Sequence, residues 1–129
     1  MRTCVLYIAS RRGQYCDDAV TSRNSVKRHN PNLPCILATE NGSGLSGWDR
    51  VLQMSPLRYP DMWYLDSTRW TNEAFNLLYD DYDAILILDT DTYALLGVLT
   101  LPGAVGAPTW DVAVSPDGAL AFISDAGKR

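Results

Sequence analysis

Two aspartates separated by a single threonine, Asp89-Thr90-Asp91, follow directly on the apolar run Ala84-Ile85-Leu86-Ile87-Leu88. If the backbone stays extended, both carboxylates lie on the same side. At ~6 Å and an effective dielectric of ~20 they repel by roughly 3 kcal/mol. A divalent cation between them relieves that repulsion. Hard carboxylate oxygens suit Mg²⁺ or Mn²⁺, either of which can bridge a diphosphate and neutralise it as it leaves. Position also counts, because ligands of open α/β sheets gather at the carboxyl ends of parallel strands. The structural alternative is that the two aspartates cap a turn after a strand.

A second candidate is the loop Ser10-Arg11-Arg12-Gly13, which follows another apolar run, Thr3 to Ala9. Its backbone N–H and guanidinium groups suit a nucleotide or phosphate, although it matches neither a G-x-G-x-x-G nor a Walker sequence. The bland reading is a solvated basic loop. Arg69 is the only basic residue between Asp61 and Gly127. It is expected either to pair with Asp66 or Glu73 in a salt bridge of little energetic weight, or to orient an acidic metal site or grip a phosphate. His29, the only histidine, suits the end of a helix, where its charge meets the dipole. With one histidine so placed, no Ser/His/Asp or Cys/His pairing follows. No catalytic residue is assigned. Trp48, Trp63, Trp70 and Trp110 read as core and loop anchors.

These residues need elements to position them. Thr3–Ala9 reads as a strand buried on both faces. Tyr15, Ala19, Ser22 and Val26 then fall on one helical face, with Asp17 and Asp18 in the first turn and Lys27, Arg28 and His29 in the last. Asn30-Pro31 stops that helix. Cys35–Ala38 is a second strand, so the first forty residues spell a β-α-β unit, which implies a parallel sheet. A Gly-rich loop, Asn41–Gly47, follows, then a weak third strand within Trp48–Met54. A second helix is expected to be capped by Asp66 or Ser67 and to run to about Tyr79, burying Trp70, Ala74, Leu77 and Leu78. Ala84–Leu88 is the clearest buried strand. Tyr93 to Leu101 is apolar without a period, and Pro102 to Pro108 is a Gly/Pro loop. Residues 111–125 read as strand, turn and strand around Ser115-Pro116-Asp117-Gly118.

The chain has 129 residues, 47% hydrophobic and 20% charged, which fits one globular domain of residues 1–129. It leaves no room for separate donor, acceptor and lid domains. Residues 1–60 carry eight basic and four acidic side chains, whereas residues 61–129 carry three and eleven. The acidic half argues against wrapping nucleic acid, and the basic half suits a small anion. No run is long enough to span a bilayer and no signal peptide is evident. Three cysteines without a CxxC pair fit a reducing, cytoplasmic setting, with Cys4 and Cys35 as core residues.

The stretch from Tyr15-x-x-Asp18-Ala19 through Ser22-x-x-Ser25-Val26-Lys27-Arg28-His29-Asn30-Pro31-Asn32-Leu33-Pro34 resembles the opening of GT-A-fold glycosyltransferases that use nucleotide-diphospho-sugars. Ile85 to Thr92 is similar to their DxD strand, and Asp111–Val114 to the strand after it. The resemblance spans roughly residues 3–115. It implies a Rossmann-like, mostly parallel α/β sheet of GT-A type with flanking helices, here expected to be incomplete because the acceptor side and a further metal ligand, often a histidine, are lacking. It also implies a nucleotide-sugar donor, Mn²⁺ or Mg²⁺ on Asp89 and Asp91, donor contacts from the loop Ala9, Ser10, Arg11 to Tyr15 and from Asp89 and Thr90, and Arg69 near the donor phosphates. The acceptor is undefined. Residues 87–103 with 112–125 are more weakly similar to a blade of YVTN-type β-propellers, which implies a non-catalytic binding or scaffold fragment.

Overall fold

The structure, a computed structural model, describes residues 2–88 in full and, beyond them, the backbone of three strands within 95–125. The elements run β1 (Thr3–Ile8), α1 (Tyr15–His29), β2 (Cys35–Thr39), β3 (Arg50–Gln53), α2 (Trp63–Leu78), β4 (Ala84–Leu88), β5 (Leu95–Thr100), β6 (Thr109–Val114) and β7 (Leu120–Asp125). The first five strands form one sheet in the order β3-β2-β1-β4-β5. β3, β2, β1 and β4 are all parallel, and β5 pairs antiparallel with β4. This is an α/β fold.

Continuous apolar runs are what a strand buried on both faces requires, and the inner residues of β1, with all of β2 and β4, are buried. Alternate side chains face opposite layers. Cys4, Leu6, Ile36, Ala38, Ile85 and Ile87 pack with Trp70, Ala74 and Leu78 of α2. Val5, Tyr7, Cys35, Leu37, Leu86 and Leu88 pack with Ala19 and Val26 of α1. The two helices therefore cover opposite faces of the sheet. Cys4 and Cys35 are core residues, as expected. Tyr7 donates or accepts a buried bond with Ser22 at 2.9 Å, which explains a serine on the inner face of α1.

Two expectations are corrected in α2. The helix begins at Trp63, with Met62 at the cap position and no side-chain cap, so Asp66 lies inside it and is fully buried. Neither Asp66 nor Ser67 caps the helix. Leu77 is 50% exposed, and the partly buried Phe75 packs on the core further round the helix. β6 and β7 form a separate antiparallel pair from Thr109↔Asp125 to Val114↔Leu120, while the turn expected at Ser115–Gly118 lies outside the described residues. No helix among the described residues is long and apolar enough to cross a membrane.

Candidate functional site

The strand order reverses beside β1. β2 and β3 are added on one side of it and β4 on the other, so the carboxyl ends of β1 and β4 flank the topological switch point of the sheet. Ligands of open α/β sheets bind in the crevice outside such a point.

After Ile8 the chain crosses this edge before α1 begins. Ala9 is fully buried and its N–H extends the β1–β2 ladder to Ala38 O at 3.0 Å, so it belongs to the core. Ser10 donates its hydroxyl to Glu40 Oε2 at 2.8 Å and accepts the Arg12 N–H at 3.1 Å. Glu40 Oε1 accepts the Arg11 N–H and the Thr39 hydroxyl. The Arg11 guanidinium turns to the loop after β2, donating to Asn41 O at 2.8 Å and Ser43 O at 3.1 Å. Gly13, at φ 64°, takes a left-handed backbone that other residues adopt at a cost.

Beside this loop lies a cleft of about 270 Å³ lined by Ser10, Arg12, Gly13 and Tyr15 on one wall and by Leu57, Pro60 and Trp63 on the other. That is near the lower end of the ~300–1,000 Å³ usual for ligand sites. The walls are tied together, since Arg12 Nη1 donates to Pro60 O at 3.2 Å and Tyr15 stacks on Trp63 at 5.5 Å. Trp63 in turn meets Trp70 edge-on at 5.3 Å, and Trp70 Nε1 donates to Ser55 O at 2.9 Å.

The second wall is fastened to α2 by an ion cluster. Asp66 accepts the N–H groups of Arg58 and Tyr59, the latter at 2.8 Å, and pairs with Arg69 Nη2 at 2.5 Å. Arg69 also reaches Glu73 at 3.2 Å, Pro56 O at 2.8 Å and the Ser55 hydroxyl. Burial raises the Asp66 carboxyl, but the Arg69 guanidinium and the two backbone donors outweigh it and hold the acid below its ordinary value. At Glu73 burial is likewise outweighed, by the Ser55 hydroxyl and N–H and by Arg69.

Of the residues expected to contact a donor, Ser10 and Tyr15 line the cleft together. Arg11 faces the Asn41–Ser43 loop, and Arg69 pairs with Asp66 and Glu73, the salt bridges expected of its structural role. Asp89, Thr90 and Asp91 lie outside the described residues. Among those described, no group of three or more His, Cys, Asp and Glu side chains could hold a metal ion. Glu40, Leu57, Pro60 and Trp63 were not anticipated. An acid two residues beyond the expected strand of residues 35–38 is the available signal for Glu40, while the sequence marks Trp63 only as an anchor. Comparison with protein-family models, curated proteins and solved structures finds no match to the chain.

Proposed function

We propose that the chain is the donor-binding part of a metal-dependent glycosyltransferase of GT-A type, transferring a sugar from a nucleotide-diphospho-sugar to an acceptor hydroxyl. The observation supporting this reading is the reversal of strand order beside β1, with a cleft at the carboxyl end of β1. The adjacent parallel strand β4 ends at Leu88, and the next two acids in sequence are Asp89 and Asp91. Ser10 supplies a polar contact, Arg12 a cation, and Tyr15 and Trp63 apolar ring surface. A Mn²⁺ or Mg²⁺ ion on Asp89 and Asp91 supplies neutralising charge to a diphosphate. Titration calorimetry with uridine diphosphate tests the reading. Binding is expected only with Mn²⁺, and Asp89→Asn or Asp91→Asn is expected to weaken it roughly tenfold or more, the scale of one charge-assisted contact. Absence of binding, or binding indifferent to metal, overturns it.

The antiparallel pairing of β6 with β7 favours one second reading, in which residues 87–103 with 112–125 belong to a propeller-like, non-catalytic binding or scaffold fragment. Absence of nucleoside diphosphate binding both with and without Mn²⁺ would favour it.

A further inference from the structure

We propose that Glu40 is a positioning residue of the cleft, holding the Ser10–Gly13 loop and making the Ser10 hydroxyl an acceptor-only contact for a ligand. The inference rests on the cleft being the donor site. Glu40 follows β2, whereas the groups it holds follow β1, and its two oxygens are divided between them. One accepts the Ser10 hydroxyl and the other the Arg11 N–H. A hydroxyl has one proton and two lone pairs. The Ser10 proton is committed to Glu40 and one lone pair to the Arg12 N–H, leaving a single lone pair. The ligand group that meets Ser10 is therefore a donor, an N–H or O–H, rather than an ionised phosphate oxygen. Glu40 is itself held from β3, because Gln53 Nε2 donates to its carbonyl while Gln53 Oε1 accepts the Gly42 N–H at 3.2 Å. Carboxyl-end residues of three neighbouring strands thus set the height of one cleft wall.

Hydrogen exchange of the ligand-free protein tests the anchoring. Glu40→Ala is expected to lower protection of the Arg11 and Arg12 amides about tenfold or more, with protection in β1, β2 and β4 unchanged. Glu40→Gln, which keeps one acceptor oxygen, is expected to restore part of it and serves if the alanine variant does not fold. Uridine diphosphate binding with Mn²⁺ is then measured in Ser10→Ala, Glu40→Ala and the double variant. Because Glu40 acts through Ser10, the double variant is expected to bind no more weakly than the poorer single variant. Unchanged exchange at Arg11 and Arg12, or additive losses in the double variant, overturns the proposal. Lost protection in a protein whose wild type binds no uridine diphosphate supports the anchoring and overturns the nucleotide-sugar reading alone.

Discussion

Tyr15 and Trp63 stack with ring centroids 5.5 Å apart and planes 28° from parallel, although each opens a helix on a different face of the sheet. The contact passes over the carboxyl edge of β1 and joins the two walls of the cleft. It continues through Trp63 and Trp70 into the core. An aromatic pair of this kind couples directly two helices that otherwise meet only through the sheet between them.

That coupling is measurable. A double-mutant cycle of Tyr15→Leu and Trp63→Leu, followed by urea unfolding, is expected to show an interaction of about 0.5–1.5 kcal/mol, the usual excess of an aromatic pair over its buried area. A coupling indistinguishable from zero would mean that the rings do not meet in solution.

Acid is expected to loosen the second wall. Asp66 and Glu73 have ordinary values of 3.8 and 4.5 and are held below them in the folded protein. A carboxyl with a depressed folded value contributes stability that is complete above its unfolded value and is lost as pH falls through the folded one. Thermal unfolding should therefore show a midpoint that is flat near neutrality and falls below about pH 5. Asp66→Asn, which cannot pair as an anion with Arg69, is expected to lower the midpoint at pH 7 and to flatten this acid limb. A variant as acid-sensitive as the wild type would sink the assignment.

Thiol reactivity should follow burial. Burial pushes the Cys4 thiol up to about 12 and Cys35 to about 11, with the nearby Cys35 adding to the first and Lys27 opposing the second. The thiolate is the reactive form. Cys16 is only partly buried, beside the carbonyls of Ala9 and Ser10. Iodoacetamide treatment of the folded protein, read by peptide mass spectrometry, is expected to modify Cys16 first, with Cys4 and Cys35 labelled only on unfolding. Labelling of all three at one rate would contradict this packing.

Much of the framework was legible because burial on both faces leaves an unmistakable pattern. Val5-Leu6-Tyr7, Cys35–Ala38 and Ala84–Leu88 admit few polar atoms, so each reads as an inner strand, and the dipole-matched charges of α1 mark its ends. The start of α2 was obscured by a conflict between local and tertiary roles. Asp66 has the chemistry of a helix cap, but its carboxylate is directed to the N–H groups of Arg58 and Tyr59 in the preceding loop. The cleft was half legible for a related reason. Ser10 and Tyr15 stand next to a strand end, whereas Glu40 meets Ser10 across 30 residues of chain and Trp63 reaches Tyr15 from the other helix. Contacts of that range carry no periodic signature.

The place of β1 has a consequence for the order in which the sheet can be completed. β1 precedes β4 along the chain, so one of its edges must wait for β4, and the Arg2 N–H meets the Asp83 carboxylate at 2.8 Å across 81 residues. Closing so long a loop is a slow, entropically opposed event. Until then the nascent β1–α1–β2 unit presents an apolar strand with an open edge, the kind of surface that invites pairing with other chains. Pairing of Ala84–Leu88 with β1 covers that edge and passes the open position to β4, which β5 then closes.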